Sequence, residues 1–261
     1  VCTVAENILI SRIADREYPF IKEKYARLSK TDGRKIAKDV RSIFVGKVSG
    51  VITNSTDSIL INAFVGTVQT GLYSNYNIII GTLMATLRQF SSAMRGSIGN
   101  LIATEPPQHI RRVFDRLFFA MFLIASFCVC CLTGLIDRFI TIVFGEGLLL
   151  NRLTVFVCIF NLYMSTIDIP VWNFVAAAGL FRQDKYISIA GSGINLVISF
   201  VLGQKIGMAG ILIGTSATYV IQFVLKIILF YKHFLKISCI TVFTKNIIYI
   251  AAAAAECAAV I

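Results

Sequence analysis

The chain has 261 residues with a formal net charge of +11, yet only 15% of its residues are charged and 56% are hydrophobic. A soluble domain carries about 25% charged residues, so a mean hydropathy of +0.76 excludes an ordinary soluble fold and points to a membrane protein. The positive charge lies between apolar stretches rather than in one patch, the pattern of a membrane protein's cytoplasmic side and not of a nucleic-acid binder.

Residues 1–14 read as the tail of a membrane helix interrupted by Glu6 and Arg12. The chain does not begin with Met and closes on an apolar run, 247–261, which together suggest a fragment cut inside membrane segments. Residues 15–42 form a basic cytoplasmic linker; 15–41 hold nine Lys/Arg and five acids. Pro19 opens one helical run, Asp32-Gly33 is expected to break it, and Ile36, Val40 and Ile43 space a second. Two short amphipathic helices at the membrane surface follow from this pattern.

Residues 43–261 read as a bundle of membrane spans. The first, 43–65, has 23 residues, about 34 Å as a helix and enough to cross a core of ~30 Å. Its centre is polar: Asn54, Ser55, Thr56 and Asp57 stand in a row. Gly46, Ser49, Gly50, Thr53 and Asp57 fall at steps of three or four and form one stripe, with Asn54 beside it. Polar groups at that depth usually face a bundle interior or a wet cavity. The stripe is suited to an aqueous path, and equally to hydrogen bonding between helices.

A turn at 66–69 leads to a second span, 70–99, carrying Arg88 and Arg95 seven apart and hence on nearly one face, with Ser91 and Ser92 between them. A guanidinium presents a fork of donors matched to phosphate oxygens, so this pair is a candidate anion site; Arg95 alternatively snorkels to the cytoplasmic border. Residues 100–116 read as a loop, 113–136 as the third span and 137–151 as a connection. The fourth span, 152–179, carries Asn161, Asp168, Trp172 and Asn173 and is interrupted at Pro170, a residue that removes a backbone donor. Asp168 is a candidate to balance an arginine or to bind a coupling cation, and Asp57 is a second ion-coupling candidate. Residues 181–186 form a polar link, 187–203 the fifth span, 204–207 a turn, and the sixth span runs to about Tyr231. A basic loop, 232–245, precedes a final partial span. Small residues line the fifth span (Ser188, Gly191, Ser192, Asn195, Ser199) and the sixth (Gly207, Gly210, Gly214, Ala217), as in closely packed membrane helices.

The expected architecture is all-α: a polytopic helical bundle of about six full spans, with partial spans at both ends. With 15–41 in the cytoplasm, the cytoplasmic links hold seventeen basic residues and the opposite links three, which fixes the orientation. Six of the seven cysteines, all but Cys239, lie inside apolar stretches and, with only two histidines in the chain, read as small buried hydrophobes. No metal site, cofactor fingerprint, nucleotide loop or nucleophile motif is present, so no catalytic residues and no cofactor are assigned.

Several motifs together are similar to one family. N-S-T-D-S-I-L-I-N-A-F-V-G (54–66) followed by V-Q-T-G-L-Y-S-N-Y (68–76) resembles the bacterial oligosaccharide flippases, polysaccharide-biosynthesis exporters in the superfamily that includes multidrug and toxin extrusion proteins. Y-P-F-I-K-E-K-Y (18–25), S-I-G-N-L-I-A-T-E (97–105), A-G-L-F-R-Q-D-K-Y (178–186) and G-M-A-G-I-L-I-G-T (207–215) are similar to family segments in the same order. The resemblance implies a two-lobe transporter of which this chain holds the end of the first lobe, the central loop and most of the second. It implies flipping of an undecaprenyl-pyrophosphate-linked repeat unit across the bacterial plasma membrane, with membrane lipids and a glycan polymerase or glycosyltransferases as partners. That substrate is anionic, which agrees with the separate reading of Arg88 and Arg95; with Asn54 and Asp57 they are the substrate-contact candidates. The alternatives are a cation-coupled drug exporter of the same superfamily and a non-transporting scaffold for glycan assembly.

Overall fold

A computed structural model describes residues 2–19, 29–240, 242, 244–245, 248–252 and 256. Those residues are helical with no strand among them. The chain divides into two units, residues 1–40 and 41–261.

The first unit contains α1 (Cys2–Glu17) and the opening turns of α2 (Lys30–Phe64). At 16 residues, α1 is about 24 Å long, short of a bilayer core by itself. Asp32-Gly33 does not break a helix; it lies inside the first turn of α2. Helix α2 starts just after Ser29, whose Oγ accepts from the Asp32 backbone N at 3.1 Å and donates to Asp32 Oδ2 at 2.7 Å. This reciprocal cap satisfies a backbone donor that the helix start leaves open. The amphipathic run expected after Pro19 falls outside the described residues.

The second unit is the helical bundle. From residue 41 it continues α2, then adds α3 (Thr67–Ala93), α4 (Arg95–Thr104), α5 (Pro107–Phe144), α6 (Arg152–Ala177), α7 (Phe181–Ile206) and α8 (Met208–Leu229), which runs on as a π-helical turn, Phe230–Leu235. Among the described residues four helices, not six, are long and apolar enough to cross a membrane: α5, α6, α7 and α8 with its π-turn. Length is not what removes the other two, since α2 has 35 residues and α3 has 27. Their polar content lowers the hydropathy: Lys47, Thr53 and 54–58 in α2, and Arg88 and Gln89 in α3.

Three further expectations change. The run 70–99 is not one helix; it breaks at Met94, so Arg88 and Arg95 belong to different helices. The loop expected at 100–116 shrinks to Glu105 and Pro106, because α4 reaches Thr104 and α5 starts at Pro107, a residue suited to a first helical turn. Pro170 does not interrupt its helix, and α6 is continuous across it. Asp137 and Arg138 lie in α5 rather than in a connection; Asp137 Oδ1 accepts from Tyr76 OH at 2.8 Å, which ties α3 to α5.

The core centres on α6. Buried residues make up 67% of its most apolar window, against 28% for α7, so α6 is enclosed by protein while much of the apolar surface of α7 is left uncovered. Phe114 of α5 packs edge-on against Phe174 of α6 at 5.2 Å and lies 5.5 Å from Phe230. Phe230 and Tyr231 are adjacent yet both fully buried. The wider π-turn brings both to the protein side, where Tyr231 OH donates to Asp115 Oδ1 at 3.3 Å.

The tightest pairing joins α7 and α8. Ser199 Oγ donates to the Ile211 carbonyl at 2.9 Å. A Cβ at Gly210 would collide with the Leu202 carbonyl, and one at Gly214 with the Ser199 backbone. Both obstacles are backbone atoms that cannot swing away. Gly210→Ala is therefore expected to cost about 1–3 kcal/mol through overpacking, read as a several-degree loss of thermal midpoint in detergent. Gly193→Ala, where the added carbon meets nothing within 4 Å, is expected to leave the midpoint unchanged.

Candidate functional site

A cavity of about 420 Å³ lies among α2, α3, α4, α6, α7 and α8. The polar stripe of α2 supplies one wall through Gly46, Ser49, Gly50 and Thr53. The same stripe also packs. Thr53 Oγ1 and Ser192 Oγ are 3.1 Å apart, and Ser192 donates to the Ser49 carbonyl at 3.1 Å. Lining and packing, set against each other by the sequence reading, occur on one helix face. The side chain of Asn54 lies outside the described residues.

Arg88 and Arg95 both line this cavity. The break at Met94 directs Arg95 onto α6. Its Nε donates to Asn173 Oδ1 at 3.3 Å and its guanidinium lies 4.6 Å from the Trp172 ring centre. Asn173 in turn donates to Ser91 Oγ, so α3, α4 and α6 meet in one polar chain. With Nε engaged and the planar group resting on an indole, the terminal nitrogens of Arg95 are held in orientation. Arg88 is exposed, as Arg95 is, but differs in having no hydrogen-bond or ion-pair partner among the described residues. It also lines a second cavity of about 270 Å³, together with Asp57 and Tyr219, so it stands where the two spaces adjoin.

Asp57 is 5% exposed. Its partner is Thr215 of α8, not a cation: Thr215 Oγ1 lies 2.9 and 2.7 Å from the two carboxylate oxygens. Asn195 of α7 donates to the same Thr215 oxygen at 3.0 Å. Asp57 thereby fastens α2 to the α7–α8 pair, in addition to facing the second cavity.

Asp168 pairs with a lysine rather than an arginine. Lys226 Nζ is 2.8 Å from Asp168 Oδ2, and the lysine side chain is 6% exposed. Sequence reasoning passed over Lys226. The signal was present, because an ionisable residue inside an apolar span is itself a functional candidate. Asp184, expected in a polar link, lies instead in the first turn of α7 and on the wall of the first cavity. The ionisable lining is thus Lys47, Arg88, Arg95 and Lys226 against Asp168 and Asp184, a cationic excess. Asn161, by contrast, is structural: its amide nitrogen donates to the Leu212 carbonyl at 3.2 Å and its oxygen accepts from Ser216 at 2.7 Å.

No protein-family model matches the chain, and neither does any curated protein or solved structure.

Proposed function

We propose that this chain is part of a membrane flippase that moves a lipid-linked oligosaccharide, carried on undecaprenyl pyrophosphate, across a bacterial plasma membrane for surface polysaccharide synthesis. The observation that carries this reading is the cavity wall. Four cationic side chains oppose two acids, and one arginine fork is held in place by Trp172 and Asn173. Such a wall suits a diphosphate, since guanidinium groups match phosphate oxygens. It disfavours the cationic cargo of a drug exporter. The motif resemblance gives the same substrate chemistry from a separate line of reasoning.

In this reading the bundle of residues 41–261 is the second lobe of a two-lobe transporter, and alternating access arises by rocking of one lobe against the other. The test is complementation. The complete reading frame, expressed in a strain lacking its own repeat-unit flippase, is expected to restore surface glycan. Glycan that stays absent despite correct membrane insertion sinks the reading.

A further inference from the structure

Lys226 is a buried cation on the wall of the first cavity, where two carboxylates stand with it. Its Nζ makes one ion pair, 2.8 Å from Asp168 Oδ2. Asp184 reaches the same cavity from α7 and interacts electrostatically with both residues. Asp168 Oδ1 and Asp184 Oδ1 are both buried and accept no hydrogen bond among the described residues. One carboxylate therefore pairs with the ammonium directly and a second stands on the same cavity wall, each with acceptor capacity unspent. An ammonium has three donors, and Asp168 takes one of them here.

This arrangement is poor as a staple. Holding α6, α7 and α8 together needs a matched pair or an apolar contact, because buried ion pairs recover their desolvation cost only when fully satisfied. It is well suited to competition. An anionic group entering beside Arg88 and Arg95 meets a third cation whose attraction is muted by two acids, and those acids reclaim the ammonium when the anion departs. Transport needs such a balance, since a site must bind firmly enough to load and weakly enough to unload.

We infer that Lys226 is a third diphosphate-binding group of this cavity, and that Asp168 and Asp184 set the affinity by competing with the diphosphate for its ammonium. The inference rests on the flippase reading for its substrate. It makes Asp184 a specificity residue although it contacts no other side chain through its Oδ1.

The experiment is a binding titration on the purified full-length protein with two probes, inorganic pyrophosphate and undecaprenyl pyrophosphate. Asp184→Asn and Asp168→Asn are expected to bind each probe more tightly, by roughly three- to tenfold for the loss of one nearby charge. Lys226→Gln is expected to bind more weakly. Asp184→Asn carries the decision, because Asp184 is not in the direct ion pair and the variant keeps its shape. If the unmodified protein binds but Asp184→Asn binds equally or less tightly, the competition is refuted while the flippase reading survives. If the unmodified protein binds neither probe, the flippase reading fails and this inference with it. Tighter binding of inorganic pyrophosphate alone, with no lipid binding, upholds the competing acids and overturns the lipid-linked substrate.

Discussion

Arg88→Gln is expected to lower glycan export by roughly ten- to a hundredfold, the worth of one lost hydrogen bond to a charged group, with membrane insertion unchanged. The reason is the isolation of this side chain. Arg88 is exposed, lines both cavities, and engages no protein acceptor among the described residues. Among the described residues its removal breaks no hydrogen bond or ion pair, so a loss of export with normal insertion would report on the cargo. Arg88→Lys is expected to keep most of the activity, because nothing fixes the plane of this guanidinium and a mobile point charge serves nearly as well.

Arg95 is expected to behave in the opposite manner. Its Nε bond to Asn173 and its stacking on Trp172 both require a planar fork. A lysine reproduces neither, so Arg95→Lys is expected to fall as far as Arg95→Gln. The measurement is surface glycan per unit of membrane-inserted protein for the four variants, with insertion followed by protease accessibility. Parental export by Arg88→Gln would remove Arg88 from the substrate path. Equal tolerance of lysine at both positions would refute the division between a held and an unheld arginine.

The contrast between these arginines shows what the sequence could and could not convey. Seven-residue spacing placed both on one face of one helix, and both do reach one cavity. They reach it from different helices, because the chain breaks at Met94. Neither proline nor glycine stands at that break, and Met94 keeps right-handed backbone angles, φ −83° and ψ −11°, so no local signal announces it. Pro170 was a strong local signal with no effect on continuity, since α6 is enclosed by its neighbours and packing overrides the weakness. Asp57 was conspicuous in the sequence as an acid in mid-span. Its partner was not, for Thr215 lies 158 residues away, and only the fold brings them together. The long apolar helices α5, α6, α7 and α8 were legible because length and hydropathy suffice to define them. The polar helices α2 and α3 read as spans on length alone, yet they wall the cavity and carry the polar groups that lower their hydropathy.

Removal of Lys226 supplies the largest expected effect on stability. Lys226→Met leaves the half-buried Asp168 with its ion-pair partner gone and Asp184 still on the same cavity wall. Breaking a buried pair from one side costs about 3–5 kcal/mol, because the remaining charge is uncompensated. That is a large fraction of the 5–15 kcal/mol that holds a typical domain, so the single variant is expected to show a strongly lowered thermal midpoint in detergent and poor yield. The double variant Lys226→Met with Asp168→Asn removes both charges while keeping similar volumes. It is expected to recover most of the lost midpoint, since neutral or apolar replacements of a buried pair are often tolerated. Its recovery must be confined to stability: with the third cation gone, diphosphate binding is expected to stay weak. A double variant that regains both midpoint and binding would assign Lys226 to the architecture alone. One that regains the midpoint without binding separates the two roles of this lysine, a charge that the fold can do without and the cavity cannot.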